Sequence, residues 1–189
     1  VKDITAFNLN QFLLNKNTSL LFLFAGTMIM MVVMVKTGAP LKTALTPNGI
    51  LDLEFAVNAS ETALVINAWK NTPPGNRLEL AKINTWLDFI FIFFYSFFLS
   101  QSCRSIAGSA NGFLLLTGRF LTAGALAAGL LDIFENTGML LTLNGHFSDS
   151  NSLLTFIFAV SKWGLVLAAI GYILIAGVWL LIQKLKNSR

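Results

Sequence analysis

The sequence predicts an all-α membrane protein: a bundle of four transmembrane helices with a small extracytoplasmic cap in the first loop. Three observations predict it. The chain of 189 residues is 55% hydrophobic and only 12% charged, about half the charge that a soluble domain uses to cover its surface. It holds 17 Phe, a large apolar excess for so short a chain. Its apolar residues gather into four stretches, each long enough to cross about 30 Å of hydrocarbon at about 1.5 Å per residue.

The first stretch is 19–35, "SLLFLFAGTMIMMVVMV". It reads as a retained span rather than a cleaved signal peptide, because it is long, polar residues precede it and no A-x-A site follows. The second is 86–103, the third 113–141 and the fourth 153–182. Residues 1–189 form one transmembrane domain, with 37–83 as the cap within it. Four crossings put both termini and the short second loop on one side. That side holds Lys2, Lys16, Arg104, Lys184, Lys186 and Arg189, with Asp3 its sole carboxylate. The other side holds Lys36, Lys42, Lys70, Arg77 and Lys82, but also Asp52, Glu54, Glu61, Glu79 and Asp149. The Lys and Arg bias therefore places the termini in the cytoplasm.

The cap has its own pattern. Residues 37–49 are turn-rich, and Pro47-Asn48-Gly49 is a turn signal. "ILDLEFAV" then alternates apolar and polar, which predicts an extended segment with Asp52 and Glu54 on one face. "NASETALVINAWKN" predicts a short amphipathic helix capped by Asn58 or Ser60, with Leu64, Val65, Ala68 and Trp69 on its apolar face. Asn58-Ala59-Ser60 also fits a glycosylation triplet, a pattern that matters only in a eukaryotic secretory context. "NTPPGN" ends that helix. The next begins near Arg77 and continues into the second span. Trp69 and Trp86 suit the aromatic belt at a membrane interface.

Ions inside the spans are the informative residues. On the third span Thr117, Leu121, Gly124, Ala128, Asp132 and Glu135 recur at three- and four-residue steps, so they share a face. Gly124 with Ala128, and Ala125 with Gly129, are small-residue pairs that let helices approach closely. The second span carries Asp88, Ile92, Tyr95, Leu99 and Ser102 on one face, and the fourth carries Lys162, Ala169, Tyr172 and Ala176. A charged side chain at the bilayer centre costs about 2.5–3.5 kcal/mol on insertion scales. These groups are therefore expected to meet inside the bundle, near its outer end. The candidate ligand-binding set is Asp88, Asp132, Glu135, Asn136 and Lys162, with Tyr95 and Tyr172 as deeper donors and Asp52 and Glu54 above. Arg119 lies well around the helix from the acidic stripe and is left outside the set.

Other chemistry is excluded or disfavoured. One Cys and one His rule out an internal disulfide, a Cys-x-x-Cys redox pair and multi-histidine metal centres. Cys103 reads as a packing residue and His146 as a solvated loop residue. Three carboxylates suit a hard divalent ion, but Lys162 already supplies the positive charge, so neither a metal nor a cofactor is expected. The net charge of +4 is spread over loops and termini without aromatic interleaving, so nucleic acid is not an expected partner.

"LDLEFA", the "AW" helix end, "WLDFIFIFFY" and "GLLDIFEN", within residues 50–140, together resemble a family of bacterial four-span integral membrane proteins with no assigned function. The resemblance implies a four-helix bundle with an extracytoplasmic first loop, in the bacterial inner membrane. It transfers no activity and no site residues. Quinone-linked thiol oxidoreductases and claudin-like proteins need paired cysteines that this chain lacks. The expected function is non-enzymatic binding of a small or amphipathic ligand (a lipid, a cation or a proton) at the polar cluster. Two alternatives stand beside it. One is a membrane enzyme acting on lipid, with Asp132 or Glu135 as general base; the other is an accessory subunit packed against a membrane-protein partner.

Overall fold

The computed structural model describes residues 16–71 and 77–187. Lys2, Asp3, Arg189 and the Pro-Pro-Gly break at 73–75 lie outside the described residues, as do the side chains of Lys16 and Lys184. The elements in chain order are α1 (Lys16–Gly38), a 3-10 turn (Ala39–Leu41), α2 (Leu51–Glu54), α3 (Ala59–Asn71), α4 (Leu78–Ala107), α5 (Gly112–Leu143) and α6 (Asp149–Asn187). Among the described residues there is no strand. Four of the helices, α1, α4, α5 and α6, are long and apolar enough to cross a membrane, and the protein is an all-α four-helix membrane bundle.

The long helices run past the predicted spans at almost every end. The expected helix from Arg77 into the second span is continuous, with Arg77 as its N-terminal cap residue. Large apolar side chains on the outside, among them Leu21, Ile29, Phe113, Phe120, Leu167 and Ile175, need hydrocarbon around them; water would not accept such a surface. The predicted stripes face inward. Ile92, Tyr95, Leu99 and Ser102 of α4, Leu121, Gly124, Ala128, Asp132 and Glu135 of α5, and Lys162, Ala169, Tyr172 and Ala176 of α6 are all buried.

The bundle is a close-packed trio with a fourth helix on its flank. Its seams are α4–α5, α5–α6, α4–α6 and α1–α4; α1 shares no substantial seam with α5 or α6. Glycines make the trio possible. A Cβ on Gly129 would lie 2.9 Å from Ser96 Cβ of α4. Gly118 faces Tyr172 and Ala107, and Gly138 faces Thr155. α1 is attached separately: the Phe94 ring fills the space beside Gly26, and Asn84 Nδ2 donates to Thr37 Oγ1 at 2.7 Å and to the Met34 carbonyl at 3.2 Å. Ser19 and Gln101 meet at 3.3 Å near the other end of the same seam, which fixes the pair as antiparallel.

The cap corrects three expectations. Residues 50–57 do not form an extended segment; Leu51–Glu54 is a single helical turn. A lone strand would leave its backbone groups unpaired, whereas here Glu54 N–H donates to Ile50 O and Phe55 N–H to Leu51 O. Helical spacing then sends Ile50, Leu53 and Glu54 inward and leaves Asp52 on the opposite side. Gly49, at φ 68°, supplies the left-handed residue that starts the turn. Trp69 is not interfacial. It is fully buried and donates from Nε1 to the Leu41 carbonyl at 2.9 Å, at the centre of a core with Leu53, Val65, Ile66, Leu78 and Met139. Trp86, by contrast, is 62% exposed. Leu64 also points away from the cap core, at 68% exposed.

Asn58 and Glu61 form a reciprocal box at the start of α3: Glu61 N–H donates to Asn58 Oδ1 and Val57 N–H to Glu61 Oε2, both at 2.9 Å. Asp149 Oδ1 accepts from Ala59 N–H at 2.8 Å, and the Thr62 and Ser152 hydroxyls meet at 2.7 Å. These contacts tie α3 to the first turn of α6.

Packing at Gly129 makes a direct prediction. Gly129→Leu forces α4 and α5 apart and should lower stability in detergent by about 1–3 kcal/mol. Gly171→Ala, with nothing within 4 Å of the added Cβ, should be neutral. The buried single cysteine, Cys103, gives the readout, since a thiol-reactive dye labels it only on unfolding. Equal melting temperatures for the two variants would contradict the close α4–α5 seam.

Candidate functional site

Three helices each deliver one part of an ion cluster. Asp88 lies ten residues into α4 and Lys162 thirteen into α6, while Asp132 and Glu135 lie eleven and eight residues before the end of α5. At about 1.5 Å per residue these positions fall roughly 12–20 Å below the cap end of the bundle. Antiparallel threading therefore brings them to one level.

Lys162 is the hub. Its Nζ donates to Asp132 Oδ1 at 2.7 Å and to Glu135 Oε1 at 2.9 Å. It also contacts Glu135 Oε2 at 2.8 Å as a charge pair without hydrogen-bond geometry. Glu54 Oε2, reaching down from α2, lies 3.6 Å away. Tyr95 O–H donates to the second Asp132 oxygen at 2.7 Å. Asn136 Nδ2 donates to Asp88 Oδ2 at 2.7 Å and so brings Asp88 into the network. Lys162, Glu54, Asp132, Glu135 and Asn136 are all buried; Asp88 is half-buried.

The structure thus brings together Asp88, Asp132, Glu135, Asn136, Lys162, Tyr95 and Glu54. It does not bring in Asp52 or Tyr172. Asp52 turns back on its own turn, accepting from Asn48 N–H and Asn48 Nδ2, each at 2.9 Å. Helical rather than alternating geometry at 51–54 separates it from Glu54. Tyr172 lies ten residues beyond Lys162, about 15 Å further along α6, and donates to the Leu114 carbonyl at 3.0 Å. Arg119 is exposed and away from the cluster, as its position around α5 predicts. Cys103 is buried against α6, and His146 is exposed.

Beside the cluster lies a cavity of about 390 Å³, within the usual size of small-molecule sites. Its polar end holds Glu54, Asn84, Asp88, Asp132, Asn136 and Lys162. Its apolar walls are Met28, Met31 and Met34 of α1, Phe91 and Phe98 of α4, and Val166 and Ile170 of α6; Ile50 of the cap is above. The cavity occupies the place where an α1–α6 seam would be. Met31, Trp163 and Ile170 both line it and are exposed on the outside of the bundle, so it opens sideways, between α1 and α6, toward lipid.

Sequence reasoning missed Asn84, Trp163 and the α1 wall. Asn84 was findable, since it precedes Asp88 by four residues on the same polar stripe. Nothing marks the α1 methionines, whose spacing is that of any lipid-facing helix. Two buried acceptors stand out: Asn84 Oδ1 and Asn136 Oδ1 have no hydrogen-bond partner. Among the described residues no group of three or more His, Cys, Asp or Glu is placed to share a metal ion. Comparison with family models, curated proteins and solved structures finds no match to this chain, so the resemblance over residues 50–140 gains no support from those comparisons.

The hub makes the site's prediction. Lys162→Met leaves Asp132 and Glu135 buried without a counter-charge and should cost about 3–5 kcal/mol. Adding Asp132→Asn and Glu135→Gln should restore much of that loss. A loss below about 1 kcal/mol in the Lys162→Met protein, measured by denaturation in detergent, would mean that water rather than Lys162 solvates the acids.

Proposed function

We propose that this protein is a non-enzymatic multi-pass membrane protein that binds an amphipathic ligand, taken up from the bilayer, at the polar cluster. One observation carries the reading: a single cavity joins a charged end to a methionine- and phenylalanine-lined body and opens toward lipid. A ligand with a polar head and an apolar tail matches both parts. Methionine side chains suit such a wall, because they adapt to varied apolar shapes.

Catalysis with Asp132 or Glu135 as general base fits less well. A base needs a free lone pair facing the substrate. Both Asp132 oxygens are engaged, by Lys162 and Tyr95, and both Glu135 oxygens lie against Lys162. We place the protein in a bacterial inner membrane with both termini in the cytoplasm and the cap outside. The orientation is supported by where the acids fall: Arg104, Arg119 and Lys186 stand toward the termini with no described carboxylate beside them, whereas Lys36, Lys42, Lys70, Arg77 and Lys82 at the cap end are mixed with Asp52, Glu54, Glu61, Glu79 and Asp149. The ligand then enters from the outer leaflet.

Native mass spectrometry of protein purified in a mild non-ionic detergent tests the reading. The wild-type chain should retain a lipid-sized molecule in one-to-one ratio. Met31→Trp, which fills the cavity from its rim, should abolish retention while the melting temperature stays within about 3 °C, the scale of a surface-like substitution. A wild-type chain that carries no such molecule, or retention untouched by Met31→Trp, would refute it.

A further inference from the structure

The chemistry of the ligand's head follows from which hydrogen-bonding positions the site has left open. Every donor group at the cavity's polar end already makes at least one hydrogen bond. Lys162 donates to Asp132 and Glu135, Tyr95 to Asp132, and Asn136 Nδ2 to Asp88. Asn84 Nδ2 donates to Met34 and Thr37, and Trp163 Nε1 points at Glu54 Oε2 at 3.4 Å. Open acceptor positions outnumber the open donors. Asn84 Oδ1 and Asn136 Oδ1 are unpartnered on side chains that are 1% and 0% exposed. The half-buried Asp88 carboxylate is bonded through one oxygen only. The amide orientations are not arbitrary: each Nδ2 faces groups that accept, a carboxylate in one case, a carbonyl and a hydroxyl in the other.

Charge points the same way. Four carboxylates, Glu54, Asp88, Asp132 and Glu135, stand around one ammonium. That excess disfavours an anion and favours a cation as the incoming group. A phosphate, carboxylate or quinone head would bring acceptors to acceptors. A quaternary ammonium would match the charge but has no N–H for the free Asp88 oxygen. A primary ammonium supplies both charge and three donors, and the Phe91, Tyr95 and Trp163 rings beside the cavity suit a cation as well.

Building on the amphiphile-binding reading above, we infer that the head accepted at the half-buried Asp88 carboxylate, beside Asn136, is a primary ammonium on an apolar tail. A long-chain amine and an aminoethyl phospholipid share this chemistry.

The test titrates the full chain, in uncharged detergent micelles, with dodecylammonium, dodecyltrimethylammonium and dodecanoate, scored by one-to-one adducts in native mass spectrometry. Dodecylammonium should bind at least about tenfold more tightly than either of the others, the scale of one hydrogen bond to a charged group. Asp88→Asn should weaken it by a similar factor while Cys103 stays protected. Phosphatidylethanolamine against phosphatidylcholine forms a second pair. Selective retention of the former assigns a phospholipid source, and selectivity only among the dodecyl probes assigns a free amine; either supports the ammonium head. If dodecanoate or dodecyltrimethylammonium binds as well as dodecylammonium, and Met31→Trp still blocks binding, the ammonium inference falls and amphiphile binding stands. If no probe binds one-to-one, both fall. The probe series needs no variant, so it decides the matter even if Asp88→Asn does not fold.

Discussion

A lysine ammonium in the hydrocarbon-spanning part of a bundle sets the terms for everything around it. Removing Lys162 from water costs several kcal/mol, repaid only by close counter-charges in good geometry. Those charges come from α5, at 2.7–2.9 Å, and from the cap, at 3.6 Å. The ion pairs therefore constrain more than side chains. They fix the rotation of α5 against α6 and the depth of one relative to the other. Through Tyr95 on Asp132, and Asn136 on Asp88, they also fix α4. The cap is held in the same way from below, since Glu54 can pair only if Leu51–Glu54 winds into a helical turn.

Close approach is the second half of this constraint. Short ion pairs across three helices require backbones near one another, and the glycines of α5 provide that: Gly129 against Ser96, Gly118 against Tyr172 and Gly138 against Thr155. In hydrocarbon there is no hydrophobic drive to bring helices together, so packing of small residues and buried polar contacts carry the association. α1 shares in neither the ions nor these glycines. It is held to α4 alone, by Gly26 under Phe94 and by Asn84 on Thr37. A fourth helix fastened on one side leaves an open space on its other side, and the cavity between α1 and α6 is that space.

This division explains what was legible in the sequence. Helical spacing and the cost of burying ions gave the three inward stripes of α4, α5 and α6, and with them Asp88, Asp132, Glu135, Asn136, Lys162 and Tyr95 as one group. Both arguments are local to a helix, so the sequence carries them. Tyr172 shares the α6 stripe but not the depth, because a stripe specifies direction around a helix and not distance along it. In the cap, "ILDLEFAV" fits strand alternation as well as it fits a turn with Ile50, Leu53 and Glu54 inward. Only the presence of a pairing neighbour decides between them, and none is there. Asp52 was misplaced for that reason. Trp69 was misplaced because an indole suits an interface and a core equally. The cavity wall on α1 was invisible, since methionines facing a void and methionines facing lipid have the same spacing.

The bundle contains its own standard for what a purely structural polar contact looks like. Ser100 O–H ends on the Thr122 carbonyl at 2.9 Å, Tyr172 on Leu114 at 3.0 Å, and Ser19 on Gln101 at 3.3 Å. Each closes directly, helix to helix, and leaves no buried atom without a partner. The core of the ion cluster closes by charge, with Glu135 Oε2 against Lys162 at 2.8 Å but without hydrogen-bond geometry. Its rim does not. Asn136 and Asn84 each spend their donors on neighbours and leave an oxygen unmet, and both line the cavity. An unmet buried acceptor costs about 1–3 kcal/mol, and Asn84 bears that cost while it fastens α1 to α4. Apolar residues of similar size would hold the same seam more cheaply. The half-buried Asp88 carboxylate, bonded through one oxygen only, lies where the scaffold ends and the cavity begins, and that boundary separates the part of the cluster that builds the bundle from the part available for binding.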